Sequence, residues 1–184
     1  MLKELKKYLK KRIKELDLKE IVDIILFGSQ VKGKDFPEDI DLCVIFRNKI
    51  DQEFLNRLEL KIKKVNVHLS SLNVNDFFKK PHSLVKTIIL EGESILTGNK
   101  ISNNFGFSSY SLFSYGLSGL GASEKVRFVY LMKGRKKTRG VVDQLAGEWI
   151  TDNCFILPIE NENDIVAIFK KWNIQYKKKE ALIH

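Results

Sequence analysis

Two apolar segments joined through a glycine–serine step constrain this chain more than any other feature. Ile21-Val22-Asp23-Ile24-Ile25-Leu26-Phe27 reads as a buried strand, and it runs directly into Gly28-Ser29. Asp39-Ile40-Asp41-Leu42-Cys43-Val44-Ile45-Phe46 reads as a second strand, alternating polar and apolar at its start. A strand that ends in Gly-Ser and turns into a helix leaves backbone N–H groups exposed at the turn. Gly28 has no Cβ, so it permits a tight turn and the close approach of an anion. The turn's N–H groups and the Ser29 hydroxyl can then grip a terminal phosphate. Lys32 and Gly33 lie in the same turn and belong to the same phosphate-binding group, with Gly33 letting the chain bend again before the second strand.

Asp39 and Asp41 stand at i and i+2, so their side chains share one strand face while Ile40 and Leu42 point to the core. Two adjacent carboxylates repel one another unless a cation sits between them. Hard oxygen donors of this kind suit Mg2+ (or Mn2+), which commonly takes one or two carboxylates plus substrate phosphates. Such a metal would neutralise charge on a triphosphate and orient it for in-line attack at the α-phosphorus.

An apolar residue, Gly-Ser, nine intervening residues and then Asp-x-Asp is a pattern that resembles the DNA polymerase β-like nucleotidyltransferases in their minimal form. Ile88-Ile89-Leu90-Glu91-Gly92-Glu93-Ser94-Ile95-Leu96-Thr97-Gly98 resembles the usual end of such a domain, so the resemblance covers residues 1–98. It implies an α/β (α+β) nucleotidyltransferase fold with a small mixed sheet flanked by helices. It also implies that Asp39 and Asp41 are metal ligands, and that a nucleoside triphosphate is the nucleotide partner. Minimal members of the family include protein-modifying antitoxins that act beside a small helical toxin, which makes a toxin-like helical protein a candidate partner. Larger relatives modify nucleic acids or small molecules.

The chain departs from the family pattern at one place that matters chemically. Relatives carry a third carboxylate on the next strand, and the matching position here is Asn66 in Val65-Asn66-Val67-His68-Leu69. Asn66 and His68 would share the face that meets Asp39 and Asp41. Asparagine is a neutral, weaker ligand and cannot act as a base. Three readings stay open: Asn66 is tolerated with reduced activity, His68 takes over as base or ligand, or the domain binds nucleotide without transferring it. Glu38, where many relatives have serine, is a smaller departure.

The rest of the chain follows an α/β order in its first half. Leu2, Leu5, Leu9, Ile13 and Leu16 mark an amphipathic helix over residues 2–16. Asp51 caps a helix over Gln52–Lys63, Val65–Leu69 is a third strand, and Asn75 or Asp76 opens a further turn or helix. Pro81 starts a helix that Gly92 stops. From Asn99 the composition shifts to Ser, Gly, Asn and aromatics, which places a connecting segment at 99–122, with Ser109–Tyr115 packing as a strand. Residues 123–184 then form a small α+β module: a helix capped by Ser123 and stopped by Gly134, a basic loop, a short helical turn over Gly140–Ala146, strands at Trp149–Ile150 and Cys154–Ile159, a helix capped by Asn161 or Asn163, and an edge strand over Ile174–Ile183 blunted by lysines. Trp149, Phe169 and Trp172 are expected in its core. The order of helix, basic turn, short helix and hairpin also fits a winged helix, which would set a helix into a DNA groove.

The chain's 184 residues carry a net charge of +9, with 32 basic against 23 acidic residues. Such a surface favours phosphate-bearing partners, although a lysine-rich, merely solvated surface has the same total. The densest basic run is Arg135-Lys136-Lys137-Thr138-Arg139, readable as a nucleic-acid contact or as a solvated turn. No apolar stretch is long enough to span a bilayer, which excludes a membrane partner from the reading. Cys43 and Cys154 lie inside apolar runs and read as reduced core residues of a cytoplasmic protein. The expected function is metal-dependent transfer of a nucleoside monophosphate from a triphosphate to a hydroxyl of a protein or nucleic acid. The rival expectation is a weakly active or silent nucleotide-binding regulatory protein.

Overall fold

A computed structural model describes residues 2–28, 39–63, 66–79, 83–136 and 138–184. The chain divides into two compact units, Met1–Gly106 and Phe107–His184. The segment expected as a connector over 99–122 is divided between them: its first residues complete the first unit, and its aromatic stretch is a central strand of the second.

In the first unit, helix α1 (Leu2–Ile13) is followed by β1 (Ile21–Phe27), β2 (Ile40–Phe46), α2 (Gln52–Lys61), β3 (Val67–Asn73), α3 (Val74–Phe78), α4 (Ser83–Glu91), β4 (Glu93–Ser94) and α5 (Ile101–Asn104). The sheet order is β3-β2-β1-β4. β1 pairs antiparallel with β2 and β4, and β2 pairs parallel with β3, so the sheet is mixed. The parallel pair needs a crossover, and α2 supplies it.

Alternation along β1 and β2 splits the core into two layers. Ile24, Leu26, Leu42, Val44 and Phe46 pack with Leu9 and Ile13 of α1 and Phe54, Leu55 and Leu58 of α2. Ile25, Phe27, Cys43 and Ile45 face the other way, onto Val85 and Ile88 of α4 and Ile101 of α5. Both central strands are covered on both faces, which is why they read as nearly continuous apolar runs. Asp51 caps α2 as expected, its side chain accepting from the Phe54 N–H at 3.0 Å. Burial pushes the Cys43 thiol up to about 12, so it stays protonated, and both cysteines are free.

Three local expectations change. β3 begins at Val67 and continues to Asn73, well past Leu69. Ser70 and Ser71 carry no apolar signal, but β2 offers hydrogen-bonding partners as far as Phe46 opposite Asn73. The cap of α3 is Asn73, whose side chain accepts from the Asp76 N–H at 2.9 Å, two residues before the expected start. The helical turn expected after Ser29, and Pro81 at the start of α4, lie outside the described residues.

Asp23 points from β1 toward β4. Its carboxylate accepts from the Ser94 hydroxyl at 2.7 Å and from the Ile24 N–H at 2.7 Å, while partial burial holds its pKa above the ordinary 3.8. Desolvation is the larger effect and the two hydrogen bonds oppose it. A carboxyl raised in the folded state favours folding when protonated, and that contribution is lost as pH rises from the unfolded value through the folded one. Asp23→Asn keeps an acceptor and removes the buried charge. It is expected to raise the thermal midpoint at pH 7, with the gain fading below the ordinary carboxylate range. Melting curves across that range check the sign.

In the second unit, β5 (Ser108–Gly116) precedes α6 (Ala122–Lys133), β6 (Gly134–Arg135), β7 (Thr138–Arg139), α7 (Val141–Gln144), β8 (Glu148–Thr151), β9 (Cys154–Pro158), α8 (Glu162–Lys171) and β10 (Gln175–Ile183). The main sheet runs β10-β5-β9-β8 with every pairing antiparallel. β10 is an edge strand, as its lysines suggest. Phe113, Phe128, Phe155 and Phe169 are fully buried, with Trp149 and Trp172 packed partly exposed against them.

Helix α6 is capped two residues earlier than its serine suggests. Gly121 occupies the cap, and the Glu124 carboxylate accepts from the Gly121 N–H at 2.9 Å, leaving Ser123 inside the helix. The basic loop is a hairpin made by β6 and β7, not an open turn. A winged helix does not form: α7 has four residues, and the strands belong to a four-stranded antiparallel sheet.

Candidate active site

The end of β2 nearest Gly28 gathers the polar residues singled out from the sequence. Phe27 pairs with Asp41 in the antiparallel register, so Gly28 follows at the site where Asp41 stands. A Cβ added to Gly28 would collide with the Asp41 Oδ2, and Gly28 has φ +83°, in the left-handed region. Two independent demands therefore select glycine here: the backbone turn, and the close approach of a carboxylate to the Cα. From the sequence, Gly28 is expected to admit a phosphate. The contact found is with Asp41, which brings the bend and the acidic strand together.

The parallel register between β2 and β3 places His68 opposite Asp41 and Val67 opposite Ile40. The Ile40 N–H donates to the Asn66 carbonyl at 2.9 Å, so the ladder extends to the residue before β3. The Asn66 side-chain amide donates to the Asp39 carboxylate, and His68 Nδ1 lies 3.4 Å from Asp41 Oδ1. Each carboxylate thus meets one polar side chain of the neighbouring strand. Asp39 is exposed, the Asp41 side chain retains 31% of its accessible surface, and that of His68 retains 75%. A water-accessible pair of acids at a strand end is open to a solvated, multiply charged ligand.

Residues Ser29, Lys32 and Gly33 lie outside the described residues, as does Lys137. Arg135, Lys136 and Arg139 belong to the second unit and are exposed. One feature beside the acids had no sequence signal. A cleft of about 330 Å³ lined by Glu59, Leu60, Ile62, Lys63, Asn66 and Val67 opens next to Asn66, between the end of α2 and the start of β3. The nearest hint in the sequence is Leu60, which falls off the inward face of α2 and is 59% exposed.

The donor chemistry at this strand end suits a hard divalent cation in part. Two carboxylates on one face match an ion that takes its remaining ligands from phosphates and water. The third position is an amide, and no group of three or more His, Cys, Asp or Glu that could hold a metal forms among the described residues.

A family profile described as "Polymerase beta, Nucleotidyltransferase" matches residues 3–101. The chain belongs to this nucleotidyltransferase family. The matched region contains the mixed sheet, the Gly28 bend and both aspartates, and it ends within α5, so the nucleotidyltransferase domain accounts for nearly all of the first unit. Nucleotidyltransferases of this family generally use divalent metal ions. No curated protein sequence matches the chain significantly.

Among solved structures, similarity is found to a toxin–antitoxin complex with AMP-PNP, at 18% identity and a TM-score of 0.40, covering 54% of this chain and 78% of that one. A second is a tri-AMPylated HEPN toxin from Shewanella oneidensis in complex with MNT antitoxin, at 17% identity and a TM-score of 0.37, covering 57% and 79%. A third is a mutant of the toxin–antitoxin pair MntA-HpeT, at 16% identity and a TM-score of 0.40, covering 54% and 78%. No helix among the described residues is long and apolar enough to cross a membrane.

Proposed function

We propose that this nucleotidyltransferase moves a nucleoside monophosphate from a nucleoside triphosphate to an acceptor hydroxyl on a protein or nucleic acid. The observation that carries the reading is the seat of the Asp41 carboxylate against Gly28, with Asp39 beside it on the same strand end. In this reading Asp39 and Asp41 hold Mg2+ or Mn2+, which when bound neutralises charge on the phosphates. Gly28 and Ser29, with Lys32 and Gly33, form the phosphate grip. The absence of a side chain at Gly28 lets the Asp41 carboxylate lie against the bend that carries the grip. His68, with Nδ1 3.4 Å from Asp41 Oδ1, is the side chain assigned to accept a proton from an incoming hydroxyl.

Asn66 favours a second reading, in which triphosphate is bound and not transferred. It already donates to Asp39, so it occupies the place where a base would stand and offers no basic atom there. Labelled triphosphates incubated with the protein, Mg2+ or Mn2+, and total cellular protein and RNA separate the two. Label on a macromolecule supports transfer. Triphosphate binding without label on a macromolecule supports the second reading, and absence of both binding and transfer overturns both.

Asn66→Asp sharpens the contrast. A third carboxylate against Asp39 replaces a donor with a like charge, so the variant is expected to melt at a lower temperature in chelator and to recover when Mg2+ is added. Under transfer, its rate is expected to rise about a hundredfold, the lower end of what a positioned general base contributes. Melting that is indifferent to Mg2+ in this variant would place the metal elsewhere.

A further inference from the structure

The charge of the second unit is strongly uneven. Residues 107–184 contain twelve basic and eight acidic residues. Lys125, Arg127, Lys133, Arg135, Lys136, Lys137 and Arg139 fall within the twenty residues 121–140, where Glu124 is the only acid. Helix α6 and its hairpin therefore carry +6, and the remainder of the unit is net −2. Glu124 itself is occupied at the helix cap.

The backbone fixes the presentation of Arg135, Lys136 and Arg139; Lys137 lies outside the described residues. Gly134 has φ +84°, and a Cβ on it would meet the Thr138 carbonyl. A Cβ on Gly140 would meet the Met132 carbonyl. Two chain segments cross at these glycines with no room for a side chain, so the hairpin has a tight neck. The Thr138 hydroxyl closes it further, accepting from the Arg135 N–H at 3.1 Å and donating to the Arg135 carbonyl at 2.7 Å. Along α6, Ser123, Val126, Arg127 and Tyr130 follow i, i+3, i+4, i+7 spacing and form its exposed face. The Arg135 guanidinium lies 4.9 Å from the centroid of the Tyr130 ring, joining that face to the hairpin, and Tyr130 is 43% exposed.

We propose that α6 and the β6–β7 hairpin form a docking surface for single-stranded nucleic acid. The cations take the phosphodiester backbone, and the exposed Tyr130 ring with its stacked Arg135 takes a base. Two features favour a nucleic acid over an acidic protein. Lys133 is paired with Asp152 at 2.7 Å, but Arg127, Arg135, Lys136 and Arg139 are exposed charges of one sign, as a repeating phosphate chain requires, and Arg135 stacks on an exposed aromatic ring, a surface on which any base can stack. Arginines at the rim suit phosphate through their planar, multiply donating fork. The surface stands apart from the reading of the first unit, since it needs neither triphosphate nor the aspartates.

The test is anisotropy of labelled mixed-sequence RNA and DNA strands of about 12 nucleotides, titrated with the full chain across a salt series. Binding is expected with a log–log salt slope of about −3, the value for roughly four phosphate contacts on a single strand. Arg135→Gln with Arg139→Gln is expected to weaken binding at least tenfold and to flatten the slope by about 1.4. Tyr130→Ala is expected to cost about tenfold on single strands and little on a duplex. Lys177→Gln with Lys179→Gln removes two exposed charges from β10 and is expected to leave affinity within twofold. Asp41→Asn is expected to bind nucleic acid as the parent does, so a failed transferase reading leaves this result standing.

No binding at low salt overturns the proposal. Equal losses from the hairpin and β10 pairs do the same, because binding would then follow bulk charge. Polyglutamate or phosphatidylserine vesicles that bind as tightly, with the same sensitivity to Arg135 and Arg139, also overturn it. The RNA and DNA arms show which strand the surface prefers.

Discussion

Asp41→Ala is expected to lower the transfer rate at least a thousandfold while leaving the melting temperature unchanged or slightly higher. A metal-ligating carboxylate at a reacting phosphate supports several kcal/mol of transition-state stabilisation, and each ~1.4 kcal/mol is a factor of ten in rate. The stability side follows from the surroundings. Asp41 is partly exposed, stands two residues from a second carboxylate, and fills the space where a Gly28 side chain would be. Truncation removes a like-charge neighbour, and among the described residues the polar contact it gives up is the one to the exposed His68, outside the core. Label transfer measured beside calorimetric melting separates the two effects. A variant that retains a tenth of the parental rate would sink the assignment of Asp41. A variant that unfolds would show the carboxylate to be structural.

Phe169→Ala is expected to destabilise the second unit by about 3–5 kcal/mol, the usual range for a large aromatic cut to alanine in a core. Phe169 is fully buried, with ring centroids at 4.9 Å from Tyr176, 5.5 Å from Tyr115, 5.8 Å from Phe113, 6.2 Å from Phe128 and 6.3 Å from Phe155. Such ring pairs add about 0.5–1.5 kcal/mol each beyond area burial, so few positions here concentrate as much packing. A unit of roughly 80 residues has only about 4–12 kcal/mol in total, and the loss would leave it marginal. The chain's two tryptophans, Trp149 and Trp172, both pack against this core. Their emission in a urea titration therefore reports on this unit and not on the sheet that holds the aspartates. A midpoint shift worth less than about 1 kcal/mol would mean that the neighbours collapse into the space.

What could be read from the sequence tracks how local the deciding physics is. β1 and β2 are legible almost to the residue, because burial on both faces makes them short unbroken apolar runs. Period-two spacing likewise put Asp39, Asp41, Asn66 and His68 on one face, and their contacts follow that spacing. β3 was half legible: Ser70 and Ser71 are strand only because β2 continues beside them, and pairing across a sheet leaves no mark on a single segment. β4 has two residues, too few for any period to show. The hairpin inside the basic run was hidden for a related reason. Its strands are two residues each, and the crossing at Gly134 and Gly140 that holds it depends on distant carbonyls. The seat of Asp41 on Gly28 belongs to the same class. Glycine was legible as a turn residue, whereas the collision that forbids anything larger comes from the partner strand.

The order of strands in the second sheet bears on how the protein is made. β5 is the first strand of its unit to emerge during synthesis, yet it pairs over its whole length with β10, which emerges last. The first unit is contiguous and closes by Gly106, so it can reach its final form while the ribosome is still translating. The second must hold an aromatic strand with an open edge until its closing partner arrives, a long-range pairing that slows folding. Messages truncated just before Gln175 would release a finished nucleotidyltransferase domain attached to an unclosed, aggregation-prone sheet.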